Sequence, residues 1–238
     1  MKEKKTPDDV FKALKLDDEL ETVLDNEKLH LWVDFVNKFN KKNHGREVTL
    51  LGMLTKTYGD EALAKVFETA KQNPSTVWIA TKLQNEQQIV WMLNGLDPDF
   101  VFKWFKLDKA TVEELLSNPA LGVWYHFFHN LNQFNPDRDV TMITKLVNTY
   151  DDIPLAKAIS AAMKDENMQL VASRLQEAQF QKWRLDGRNP DAISKLLLKD
   201  RMGWKNQGIS RDYKTFYEDA NKVDDLDTSV VVASLRRS

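Results

Sequence analysis

"REVTLLGMLTKTYGDEALAK", Arg46 to Lys65, returns 92 residues later as "RDVTMITKLVNTYDDIPLAK", Arg138 to Lys157. Arg, Val, Thr, Leu, Thr, Tyr, Asp, Leu, Ala and Lys stand unchanged, with Tyr58 over Tyr150. Downstream, "ATKLQNEQQIVWMLNGLDPD" (Ala80 to Asp99) lies over "ASRLQEAQFQKWRLDGRNPD" (Ala172 to Asp191), pairing Trp91 with Trp183 and Gly95 with Gly187. Upstream, "LHLWVDFVNKFN" lies over "LGVWYHFFHNLN", pairing Trp32 with Trp124 and Asn40 with Asn132. "PDDVFKALKLD" from Pro7 matches "PDFVFKWFKLD" from Pro98, one residue out of phase. A third opening, "PDAISKLLLKD", starts at Pro190 and fades after "YKTFYEDANK". Self-similarity at a fixed period is the signature of a repeat architecture.

The repeated segments read as helices. Apolar residues recur at three and four: Leu29, Trp32, Phe35, Val36 and Phe39 form one face, and Ile79, Leu83, Val90 and Trp91 much of another. No stretch alternates strictly, as strands would. The seven prolines stand at helix starts. "TPDD", "NPST", "DPDF", "NPAL", "NPDR" and "NPDA" each place a capping side chain before Pro, and Pro154 lies in a first turn. Gly95 and Gly187 close helices from the C′ position. The expected fold is all-α, with tandem bundles of about five helices stacked into an elongated rod. Its domains are 1–97, 98–189 and a partial third repeat over 190–222, followed by a flexible tail over 223–238.

The second repeat opens with too many apolar residues for one interface. Val101, Phe102, Trp104, Phe105 and Leu107 leave only Lys103 and Lys106 on the polar side, an arc wider than the stripe of about 100° that seats a helix on one core. A helix shared between repeats explains it. Val101, Phe102, Trp104 and Phe105, with Ile193, Leu196 and Leu197 in the third opening, are the expected inter-repeat seam. The alternative is a helix wholly buried inside one repeat. Trp32, Tyr58, Trp91, Trp124, Tyr150 and Trp183 are the expected repeat core.

Composition excludes whole classes of chemistry. The chain has 238 residues and no cysteine, so thiolate metal sites and cysteine nucleophiles are out. Its 34 basic and 36 acidic residues are interspersed, for a net charge of -2, without the basic stripe that nucleic-acid binding needs. No apolar run reaches membrane-spanning length. His126 and His129 stand three apart on a helix but lack a carboxylate one turn away, and "DDLD" at Asp224 to Asp227 lacks the glycine of a calcium loop. Neither a phosphate-binding glycine loop nor a nucleophile elbow occurs. The expectation is no enzyme, no metal and no cofactor. "FKAL" and "WFKL" fit an aromatic-x-x-aliphatic strand-addition motif, but both fall inside expected core helices.

The order of Trp, Phe and Asn in "WVDFVNKFN", then "TYGDEALAK", then "ATKLQNEQQIVWMLNG" running into "PDFVFKWFKLD", resembles the W, Y and L motifs of oomycete RXLR effectors. It is most similar to the tandem LWY repeats of Phytophthora effectors, from Pro7 to about Asp200. The W positions fall on Trp32 and Trp124, the Y positions on Tyr58 and Tyr150, and the L motifs on the helices from Pro7, Pro98 and Pro190. The resemblance implies a secreted virulence protein, translocated into the plant cell, that binds host proteins and suppresses immunity without catalysis. One implied partner is the scaffold subunit of host protein phosphatase 2A, with the chain itself a monomer. The signal peptide, Arg-x-Leu-Arg and Glu-Glu-Arg segments that precede the repeats in that family are not in this sequence. The expectation is that they have been trimmed, and that the third repeat is either a native cap or cut short. An ordinary cytosolic helical-repeat adaptor with an endogenous partner is the alternative.

Overall fold

Thr6 accepts a hydrogen bond from the Asp9 backbone N–H, and the Asp9 carboxylate accepts one back from Thr6. This reciprocal cap starts the first helix, α1 (Pro7–Ala13), with Pro at the first helical position. The computed structural model describes residues 5–133, 137–199 and 203–235; Arg138, Val140, Trp204 and 223–235 are described by backbone alone. Among the described residues there are 13 α-helices and no strand, with about 74% of the chain helical. The first repeat continues with α2 (Leu29–Asn40), α3 (Leu50–Tyr58), α4 (Asp60–Ala70) and α5 (Val77–Leu93). The second comprises α6 (Pro98–Trp104), α7 (Val112–Ser117), α8 (Pro119–Leu131), α9 (Arg138–Tyr150), α10 (Asp152–Ala162) and α11 (Gln169–Leu185). The third opens with α12 (Pro190–Leu197) and passes into α13 (Gln207–Leu235).

Both copies use the same backbone devices. α5 and α11 end in left-handed glycines, Gly95 and Gly187, both at φ 71°. In each, the glycine N–H and the next N–H turn back to the helix's last carbonyls, at Met92 and Trp91 and at Arg184 and Trp183. The left-handed Lys15 recurs as Lys106, both at φ 57°. Asp97 and Asn189 cap α6 and α12 ahead of Pro98 and Pro190, and Asn118 accepts from Ala120 N–H beside Pro119. Pro74 differs from expectation. It lies one turn ahead of α5, in a turn where the Asn73 side chain accepts from Ser75, while α5 itself begins at Val77. Pro136 is outside the described residues, and the segment expected as a tail from 223 is helical backbone as far as Leu235.

The helices gather into two compact units. One holds the chain up to Lys109 together with Asn118–Leu131; the other holds Ala110–Ser117 and the chain from Asn132 onward. In the first unit, Trp32 is fully buried among Phe11, Leu54, Leu63 and Phe67. Its indole N–H donates to the Pro7 carbonyl at 2.9 Å. Trp124 repeats this with the Pro98 carbonyl, also at 2.9 Å. Each tryptophan therefore fastens its helix to the first turn of the short helix upstream. The Tyr58 hydroxyl donates to the Leu16 carbonyl, and burial followed by nearby Asp17 raises its pKa. α4 packs on α5 and α8, and α6 on α8. In the second unit α7 packs on α10, α9 on α11, and α12 on α13.

Candidate functional site

Trp91 stands in the last turn of α5, its ring buried against the start of the next repeat. Trp104 lies edge-on to it at 5.6 Å, Phe105 is 6.4 Å away, and Phe127 of α8 is edge-on at 5.5 Å. Val101 and Phe105 are buried, and Trp104 is half-buried. Phe102, expected at this seam, faces the other way: its ring lies 4.9 Å from Trp124 of its own repeat. The two flanks of α6 thus meet different aromatic clusters, because four residues from Val101 reach Phe105 on one face while Phe102 sits about 100° away.

The same arrangement recurs 92 residues on. Trp183 is buried with Ile193, Leu197 and Tyr213, and Tyr213 is edge-on to it at 5.1 Å, as Phe127 is to Trp91. Leu196 does not join them. It takes the place of Trp104 at the edge of the face and is 44% exposed, since an isobutyl group there does not reach the buried tryptophan as an indole does. Burial raises the Tyr213 pKa to about 12, and its hydroxyl donates to the Arg188 carbonyl. Tyr150 is half-buried at the end of α9.

Hydrophobic spacing misses the polar half of these junctions. Gln84, Gln87 and Gln88 are all buried on α5, while Val90, expected inward, is 44% exposed. The Gln87 amide N–H donates to the Asp60 backbone and side chain at 2.9 and 2.8 Å, and Gln179 makes both bonds to Asp152 at 2.9 Å. Gln88 accepts from Asn130 at 2.9 Å. Gln87 and Gln179 thereby tie α5 and α11 to the first residue of α4 and α10, Asp60 and Asp152. The conserved spacing of Gln87 and Gln179 within the repeat is the signal that marks them.

His126 sits on α8 beside the Glu68–Lys71 ion pair of α4, whose nitrogen and oxygen are 2.7 Å apart. Burial, reinforced by Lys71, lowers its pKa below the ordinary value. No group of three His, Asp or Glu side chains among the described residues is placed to hold a metal ion. Shallow grooves run beside Leu24 and Thr69, along α5 at Trp78, and between α11 and α13 at Phe180. Among the described residues no helix is long and apolar enough to cross a membrane.

No protein-family model matches the chain. Known proteins do. The RxLR effector protein PSR2 of Phytophthora sojae is 32% identical over 200 residues, which is 84% of this chain and 30% of that protein. PSR2 of Phytophthora infestans is 33% identical over 204 residues, 85% of this chain and 26% of that protein. This chain is homologous to the RxLR effectors of Phytophthora. The RxLR effector PexRD25 of Phytophthora infestans is 32% identical over 182 residues, covering 76% of this chain and 59% of that protein. The crystal structure of PcRxLR12 matches with a TM-score of 0.67 at 31% identity, over 90% of this chain and 53% of that one. The homologue spans less than a third of the PSR2 proteins it matches. These RxLR relatives are named as effectors, none by an enzymatic activity.

Proposed function

We propose that this RxLR-effector homologue is a virulence protein that the pathogen secretes and delivers into the plant cell. There it binds a host protein and suppresses immunity without catalysing a reaction. The observation that carries the reading is how α5 and α11 differ. Their inward residues are kept, Leu83 with Leu175, Gln87 with Gln179 and Trp91 with Trp183. Their outward residues are replaced: Trp78 by Leu170, Lys82 by Arg174, Asn85 by Glu177 and Ile89 by Gln181. A fixed core under a divergent surface is how repeat proteins acquire different partners.

Within this reading, the partner to test first is the scaffold subunit of host protein phosphatase 2A. Purified chain and purified subunit are mixed and resolved by size-exclusion chromatography, with titration calorimetry for affinity. Co-elution with measurable heat supports the phosphatase. Independent elution removes that partner, and a failure of leaf-expressed chain to lower immune signalling removes the virulence reading itself.

A further inference from the structure

The outer face of α5 is exposed although it carries large apolar residues. Trp78 is 72% exposed, Ile89 50% and Leu93 82%, with Val77 and Val90 alongside. Trp78, Lys82, Asn85, Ile89 and Leu93 are spaced by four, three, four and four residues, which places them on one stripe. The stripe has an order. Trp78 and Val77 lie at its N-terminal end, Ile89, Val90 and Leu93 at its C-terminal end, and Lys82, Asn85 and Glu86 between them. A groove runs its length between Val77 and Ile89.

That order is self-complementary under a two-fold axis. When two copies of α5 are laid antiparallel with the axis near Asn85, Trp78 meets Ile89 and Leu93 of the second copy. Lys82 then falls beside Glu86 of the second copy, and Glu86 beside its Lys82. A parallel in-register arrangement instead brings Lys82 against Lys82 and Glu86 against Glu86, and a displaced one sets the polar middle against an apolar end. We propose that this face is the interface of an antiparallel homodimer, which departs from the monomer expected of the sequence. The inference is independent of the virulence reading.

The size of the face sets its strength. Aromatic side chains bury about 150–250 Å² each, so Trp78 and its aliphatic neighbours offer on the order of 500 Å² per copy. Two copies give roughly 1,000 Å², at the lower bound for specific association. The contact is therefore reversible and concentration-dependent. In the free chain Lys82 is already 5.6 Å from the Trp78 ring centre and 4.0 Å from Glu86, so the charges stand beside the apolar end before docking. α11 lacks the pattern. At its equivalent positions Arg174 pairs with Glu177 within the same helix at 3.2 Å, between Leu170 and Leu185.

Sedimentation equilibrium of the full chain across a micromolar to millimolar range tests the proposal. The weight-average mass is expected to rise from one chain toward two. Trp78→Asp, Lys82→Glu and Glu86→Lys are each expected to weaken association tenfold or more, with unchanged circular dichroism. The double variant Lys82→Glu with Glu86→Lys is expected to recover it, because the two charges exchange places across the axis. A mass fixed at one chain throughout overturns the proposal, as does association that Trp78→Asp leaves unchanged. Dimers whose two charge variants fail to rescue one another overturn the antiparallel register.

Discussion

The indole N–H of Trp183 donates to both carboxylate oxygens of Asp152 at 2.8 Å. The equivalent N–H of Trp91, 2% exposed, has no acceptor among the described residues. Asp152 also accepts from Gln179 and Arg188, whereas Leu96 occupies the place of Arg188 in the first repeat. Trp91→Phe and Trp183→Phe remove the same volume, but only the second breaks a hydrogen bond to a charged group. Trp183→Phe is expected to cost about 1.5–3 kcal/mol more. Urea unfolding of the two variants checks this, and equal losses would refute it.

Trp32 and Trp124 are fully buried and tie their helices to Pro7 and Pro98. Trp32→Ala and Trp124→Ala each leave a cavity and remove the indole hydrogen bond to the upstream helix, at an expected cost of about 3–5 kcal/mol. The readout is the shift in denaturant midpoint, and a loss below 1 kcal/mol would contradict the packing described.

Two glycines five residues apart should respond oppositely. A Cβ on Gly203 would stand 2.6 Å from the Leu198 Cα and carbonyl oxygen, backbone atoms that cannot rotate aside. Gly203→Ala is expected to destabilise by about 1–3 kcal/mol. A Cβ on Gly208, in the first turn of α13, meets nothing within 4 Å. Gly208→Ala is expected to stabilise by up to about 1 kcal/mol. Thermal melts of both variants at one protein concentration decide the signs.

His126 makes stability depend on pH. Burial first, then Lys71 and His129, holds its pKa down in the folded chain, with Glu68 opposing. The unfolded chain takes up the proton near pH 6.5. More protons are then bound by the unfolded state, so stability is intact above about pH 6.5 and falls as the pH drops below it. Melting temperatures at pH 7.5 and 5.5 should differ more for the wild-type chain than for His126→Gln. Parallel pH dependence in the two would remove His126 as the cause.

Much of the fold was legible in the residues. Thr6, Asp97, Asn118 and Asn189 announce helix starts because capping is a bond between neighbours in sequence. Gly95 and Gly187 announce helix ends because a left-handed turn is a local backbone state. Asn73–Pro74 carries the same signal, yet there the cap closes a turn ahead of the helix. Local rules fix that a cap exists and leave the first residue of the element open.

The sequence by itself determined an all-helical preference along the chain, its recurrence at 92 residues and which aromatic residues repeat with it. Those follow from propensity, capping and period, which act within a few residues of chain. Only the tertiary structure decided that Phe102 turns to Trp124 while Trp104 turns to Trp91, that Gln87 is buried and that Trp78 and Val90 face outward. A glutamine is as costly to bury as its period suggests until a neighbouring helix presents Asp60 to accept its amide. An apolar residue is inside only where another element arrives to cover it, and that is settled by contacts between distant parts of the chain.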